Sequence, residues 1–329
     1  VKGVADAFIQ HVCQVRKTNK FNDLWDFSKK VDIKLGGKKS LEALSQSGAF
    51  DSIAPSRRIA VSCIEDMLKD GSNNSSKQTA MSGDLFSSLN ESFDPYEKYK
   101  NITDIGLSEL LSLEKKSLGY YLSGHPVDAI NNQVSILRSS QIGGLDIDSK
   151  KGALVALINS SRQIRDRSGK PLTFINFDDG TGTMDGVVSS DVLENCHNIL
   201  KEGEILVIKG SIELDDYRSK EMGVSSFRMR VKEVKGIDSE LQNKLKTLTI
   251  DLTKSKIDSL ENLSKSIYDI DSDFWEEASG CKINIKVISN NSEAIIELGN
   301  SFNFLPDLQK VNKIIDIFGA DAISLSKQK

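Results

Sequence analysis

Residues 227–232, Phe-Arg-Met-Arg-Val-Lys, alternate apolar and cationic side chains without a break. That period of two belongs to a half-buried strand, with Phe227, Met229 and Val231 turned to a core and Arg228, Arg230 and Lys232 turned to solvent. Such a strand needs neighbours, and the stretch 152–234 supplies them. Ala153 to Ile158 is a near-continuous apolar run. A basic arm with Arg162, Arg165, Arg167 and Lys170 follows it, and Ser168-Gly169 marks a hairpin turn. Leu172 to Phe177 and Met184 to Val188 read as two more strands, joined across Asp178-Asp-Gly-Thr-Gly182. Asp191 to Leu200 gathers Val192, Cys196, Ile199 and Leu200 on one side of a helix. Ile205 to Ile208, bounded by Gly203 and Gly210, reads as the fourth strand.

Three strands, a helix and two strands is the order of the OB-fold, a small barrel whose second and third strands commonly grip oligonucleotides. Along the second strand Ile175 and Phe177 share the core face, while Leu172, Phe174 and Asn176 share the other. Phe174 is then exposed beside the basic arm, where a base would stack on it for about 1–3 kcal/mol. The competing reading makes Phe174 a cap under a loop and the arginines a solvated hairpin. Arg218, Lys220, Arg228 and Arg230 extend the cationic track. The Asp178-Asp179 pair falls in a hairpin turn and reads as turn chemistry rather than as a carboxylate pair holding metal ions.

With 329 residues, 38% hydrophobic and 27% charged, the chain reads as several globular domains. A net charge of −4 argues against wholesale phosphate binding but not against a local basic patch. No apolar run approaches the roughly 20 residues of a membrane-spanning helix. Cys13, Cys63, Cys196 and Cys281 are scattered, without the spacing of a disulfide framework or a zinc module, so a reducing cytoplasm is expected. Val1 stands where an initiator Met would, and a segment of a longer protein is expected.

Before the barrel the chain reads as helices. They cover Phe8 to Val15, Asn22 to Val31, a stretch with Leu41 and Leu44 that stops at Ser47-Gly48, and a fourth with Pro55 in its first turn and an Ile59, Cys63, Met67 stripe. Val1-Lys-Gly-Val4 precedes the first of them and is either an ordinary turn or one that aims backbone N–H groups at a phosphate. Gly71 to Ser82 is a polar linker, ending in Ser82-Gly-Asp-Leu-Phe86, where Leu85 and Phe86 either dock in their own domain or fill a partner's pocket. A helix over Leu107 to Leu122 ends at Ser123-Gly-His-Pro126, with His125 a structural turn residue, and a short helix covers Asp128 to Leu137. After the barrel the order β-α-β-β-α-β makes a small α+β domain, its last helix opening at Pro306 and closing at Gly319.

Together Val1-Lys-Gly-Val4, Ser47-Gly-Ala-Phe-Asp51, Ser82-Gly-Asp-Leu-Phe86, Leu118-Gly-Tyr-Tyr-Leu-Ser-Gly-His-Pro126 and Phe174 to Gly182 resemble the C-terminal third of the bacterial replicative DNA polymerase III alpha family. The resemblance covers essentially the whole chain. It implies a multidomain α+β architecture with a helix-hairpin-helix and clamp-binding region at 1–71 and a linker with a clamp-binding motif at 72–103. A helical connector at 104–150, an OB-fold at 151–236 and a C-terminal domain at 237–329 complete it. It implies that Lys2, Gly3 and Val4 touch duplex DNA, with Ala5 where a second glycine is usual. Ser82, Asp84, Leu85 and Phe86 would bind the sliding clamp, with Ser82 in place of the usual Gln, and the tail would bind the tau subunit of the clamp loader. The intact protein is expected to be a magnesium-dependent DNA-directed DNA polymerase whose catalytic aspartates lie upstream, so that this segment needs no cofactor of its own. A free-standing OB-fold protein, or an anticodon-binding domain of a tRNA ligase, is the alternative.

Overall fold

The computed structural model describes residues 1–69, 94–165, 169–215, 218–220, 223, 226–257, 260–275, 280–289 and 292–327. Contacts divide the chain into two units, Val1–His125 and Pro126–Lys329.

The first unit is helical: α1 (Asp6–Thr18), α2 (Leu24–Lys30), α3 (Gly37–Gln46), α4 (Arg57–Ser62) and α5 (Leu107–Ser117). Caps fix two of the starts. Asp23 accepts from the Asp26 amide at 2.7 Å, and Ser56 accepts from the Ile59 amide at 3.3 Å, so α4 begins at Arg57 and Pro55, expected in its first turn, precedes the cap. The core gathers Phe8, Leu24, Phe27, Leu41, Phe50 and Met67. Phe27 meets Phe21 and Phe50 edge to face, with ring centroids 5.1 and 5.0 Å apart.

The helix expected to run to Leu122 ends at Ser117. Gly119 takes φ 92°, a conformation that glycine adopts without strain, and the chain turns back. The cause lies inside α5: the Glu114 carboxylate accepts from the amides of Leu122 (2.7 Å) and Ser123 (2.9 Å), which holds this segment out of helical register.

In the second unit a short helix, α6 (Asn131–Val134), leads into a closed barrel. Its strands are β1 (Lys151–Arg165), β2 (Pro171–Asp178), β3 (Thr183–Ser189), β4 (Ile205–Leu214) and β5 (Phe227–Gly236), in the order β1-β2-β3-β5-β4. Helix α7 (Ser190–Cys196) lies between β3 and β4 in the chain and supplies Cys196 to the barrel core. Within the barrel β3 and β5 pair in parallel, and the other pairings are antiparallel. The apolar run in β1 is continuous because the strand is covered on both faces. Leu154, Ala156 and Ile158 fill the barrel, while Val155 joins Val207, Val134, Leu137, Ile237 and Leu241 in a second core outside it.

Gly210, expected to end the fourth strand, instead sits inside β4, which runs on to Leu214. The register shifts there, and a Cβ at Gly210 would come 2.3 Å from the Arg230 carbonyl oxygen. The glycine therefore permits a close approach of β5 rather than a turn.

Helix α8 (Ile237–Lys244) joins the barrel to a sheet of β6 (Leu245–Asp251), β7 (Lys282–Ser289), β8 (Ser292–Glu297) and β9 (Ile323–Lys327), ordered β8-β7-β6-β9. Helices α9 (Leu260–Tyr268) and α10 (Leu308–Phe318) complete the expected β-α-β-β-α-β series. The cap of α10 is Asp307, whose side chain accepts from the Lys310 amide at 2.7 Å. Glu240 on α8, almost wholly buried, pairs with Lys209 of β4 at 2.6 Å and with Lys244 at 3.1 Å. Burial alone would raise its pKa, but these two lysines more than reverse that and lower it. The barrel and α8 are thus tied by charge as well as by packing.

Candidate nucleic-acid interface

Strand register assembles a row of side chains across the outer face of the barrel. Arg162 of β1 lies opposite Phe174 of β2, Phe174 opposite Val187 of β3, and Val187 opposite Arg230 of β5. A cavity of about 680 Å³ opens there, lined by Leu172, Phe174, Val187, Val192, Arg228, Arg230, Lys232 and Glu213. Phe174 is 40% exposed, while Ile175 and Phe177 on the alternate positions are buried, as period-two reasoning requires. The groove therefore has an apolar floor with an aromatic side chain on it and a cationic wall from β5. Aromatic stacking beside a positive track is the arrangement that holds single-stranded nucleic acid without reading its sequence.

The next row is polar and internally satisfied. Asn159 donates to the Asn176 side-chain oxygen at 3.1 Å, and Asn176 donates to Asp185 at 2.7 Å. The other oxygen of Asp185 holds Arg218 at 2.7 Å. Glu213 of β4 faces two guanidinium groups, Arg228 at 3.5 Å and Arg230 at 3.4 Å. These pairs are largely solvent-exposed, so each is worth about 0.2–1 kcal/mol and yields readily to a stronger anion.

The residues singled out in the sequence separate accordingly. Arg162 and Phe174 come together with Arg228 and Arg230, and Arg218 joins through Asp185. Arg165, in the last β1–β2 pair before the connection between the two strands, donates to the Gly169 carbonyl at 3.3 Å, and Lys170 is exposed beside it. Lys220 is exposed. Arg167 and the motif residues Ser82, Asp84, Leu85 and Phe86 lie outside the described residues. Asp179 accepts from the Thr181 amide and hydroxyl at 2.9 and 2.6 Å and from the Ile142 amide at 2.8 Å, and Asp178 accepts from Gly180 at 2.8 Å. Both carboxylates are engaged in shaping the β2–β3 turn.

In the first unit, Lys2 and Gly3 are exposed, with Gly3 at φ 81°, and Val4 packs against the helical core. Ala5 has φ −70° and ψ 133°, extended backbone that needs no glycine, so its presence there costs the turn nothing. The Lys2 amide donates to the Ser117 carbonyl at 2.7 Å, which pins this turn to the end of α5.

Sequence reasoning passed over Glu114, which is fully buried. Its carboxylate accepts from the Ser123 hydroxyl at 2.5 Å and pairs with Arg57 at 3.1 Å, besides the two loop amides, and Arg57 reaches Asp51 at 2.5 Å. Burial would raise its pKa. The Ser123 and Leu122 hydrogen bonds and Arg57 more than reverse that and bring it down to about 2. The signal was present: Glu114 stands three, four and seven residues after Leu111, Leu110 and Leu107, on the apolar stripe of its own helix.

A helix-hairpin-helix motif model matches residues 1–60, and an OB-fold nucleic acid binding domain model matches residues 154–235. The DNA polymerase III subunit alpha of Pseudomonas fluorescens is 24% identical over 99% of this chain and 28% of its own length. That of Borreliella burgdorferi is 26% identical over 95% of this chain and 27% of its own. A solved SSB domain from Synechococcus sp. overlaps 28% of this chain and 99% of its own at 10% identity, with a TM-score of 0.23. Along nearly all of its length the chain is similar to DNA polymerase III alpha subunits, and it spans a little over a quarter of theirs.

Proposed function

We propose that this chain is the DNA-handling, partner-binding C-terminal part of a replicative DNA polymerase alpha subunit, and that its barrel guides single-stranded template. The observation that carries the reading is the register row Arg162, Phe174, Val187, Arg230, of which Phe174, Val187 and Arg230 line the 680 Å³ groove. A base stacks on Phe174 while the flanking phosphates meet Arg162 on one side and Arg228 and Arg230 on the other. The turn at Lys2-Gly3, ahead of α1, serves duplex backbone, in keeping with the helix-hairpin-helix match. Leu85 and Phe86, with Ser82 and Asp84, tether the chain to the sliding clamp, and the β6–β9 domain meets the tau subunit of the clamp loader.

In the intact protein the activity is magnesium-dependent, template-directed DNA synthesis in the cytoplasm, with the metal held by residues outside this segment. Among the described residues no His, Cys, Asp and Glu side chains group to hold a metal ion, and no helix is long and apolar enough to cross a membrane. Similarity across nearly the full chain, helical unit and tail included, favours this reading over a free-standing OB-fold or a tRNA-ligase domain. Titration of a labelled oligo-dT against the chain, followed by fluorescence anisotropy, tests the barrel. Phe174→Ala is expected to weaken binding by about 1–3 kcal/mol, and unchanged affinity would remove the stacking platform from the account.

A further inference from the structure

The loop 119–123 has no part in the function described so far, yet the fold commits a buried charge to it. Glu114, wholly buried, holds the Leu122 and Ser123 amides and the Ser123 hydroxyl, and Arg57 steadies the carboxylate from the far side. A carboxylate taken out of water is costly unless it is fully paired. Here the pairing fixes the backbone of a loop that presents large side chains to solvent: Tyr120 is 57% exposed and Leu122 64%.

The turn at Lys2 adjoins this loop. The Lys2 amide bonds to Ser117, and a Cβ at Gly119 would come 2.8 Å from the Lys2 ammonium, so the lysine side chain lies over Gly119. Lys115 stands 4.9 Å from the centre of the Tyr121 ring. Residues 1–5 and 115–125 contain Lys2, Lys115 and Lys116 and no Asp or Glu. A rigid loop with exposed apolar side chains and lysines beside it suits a polyanion whose sugars offer apolar contact between phosphates.

We infer that Tyr120 and Leu122 form, with Lys2 and Gly3, one composite surface for duplex DNA, the two side chains lying against the sugar–phosphate backbone beside the phosphate held at the Lys2-Gly3 turn. The inference rests on the duplex reading of that turn. Lys2 supplies charge, and the loop supplies non-ionic contact whose position Glu114 sets.

The test is anisotropy of the full chain on a short labelled duplex and on oligo-dT over a range of salt, for wild type, Lys2→Ala and the Tyr120→Ala/Leu122→Ala double variant. The double variant is expected to lower duplex affinity on the order of five- to tenfold. Its salt slope, its oligo-dT affinity and its melting temperature should stay as in wild type. Lys2→Ala is expected to weaken duplex binding and to reduce the slope by about 0.9. If Lys2→Ala weakens duplex binding and the double variant does not, the loop makes no contact and the inference falls while the turn reading stands. Equal weakening on duplex and oligo-dT overturns it as well. Absence of duplex binding by wild type removes both.

Discussion

Replacing Glu114 by Gln isolates the charge that holds the helical unit together. The side chain keeps its size and one acceptor, but Arg57 keeps only Asp51 as an ionised partner and the Leu122 and Ser123 amides lose theirs. The fall of the carboxyl from 4.5 to about 2 sets the scale. At about 1.4 kcal/mol per unit, the ionised form stabilises the fold by roughly 3 kcal/mol, in line with the cost of breaking a buried ion pair. Urea unfolding followed by Trp25 fluorescence, in a Trp275→Phe background, reports on this unit. With a urea dependence of about 1–3 kcal/mol per molar, the Glu114→Gln midpoint should drop by about 1–3 M at pH 7. Because the folded-state value lies below the unfolded one, the contribution is complete above the unfolded pKa of 4.5 and is lost as pH falls through about 2. The two proteins should therefore converge on acidification. Coincident midpoints at pH 7, or a gap undiminished near pH 2, would refute the role given to this carboxylate.

Glu213 competes with nucleic acid for Arg228 and Arg230, so Glu213→Gln should tighten oligo-dT binding by roughly two- to thirtyfold, the worth of two exposed pairs. In an Arg228→Ala/Arg230→Ala background that gain should vanish, and a gain that persists would show that Glu213 acts through general charge alone. Clamp pull-down by a Leu85→Ala/Phe86→Ala variant should fail where wild type succeeds, and capture at wild-type strength would remove the tether.

The barrel was legible because each of its strands states its period. Ile175 and Phe177 against Phe174, and Met229 and Val231 against Arg228 and Arg230, fall on the sides that alternation assigns. Where the reading failed, a contact distant in sequence decided the outcome. Gly210 looked like a strand end because a glycine allowing close backbone approach and a glycine making a turn are spelled alike, and only the Arg230 carbonyl distinguishes them. The helix from Leu107 was drawn through Leu122 because the apolar stripe continues, whereas Glu114 on that stripe captures the loop amides and ends it. The candidate site was half legible. Arg162 and Phe174 were named together, with Arg228 and Arg230 as an extension of their track, but the parallel pairing that brings β5 alongside β3 and the carboxylates on β3 and β4 that restrain the arginines were not.

The claim that this groove holds single-stranded DNA is tested most directly by the salt dependence of oligo-dT binding in wild type and in the Arg162→Ala/Arg228→Ala/Arg230→Ala variant. Each phosphate contact on a single strand contributes about 0.7 to the slope of log K against log salt. Loss of three contacts should lower affinity and flatten the slope by about 2. Affinity and slope equal to those of wild type would place the DNA elsewhere and contradict the account.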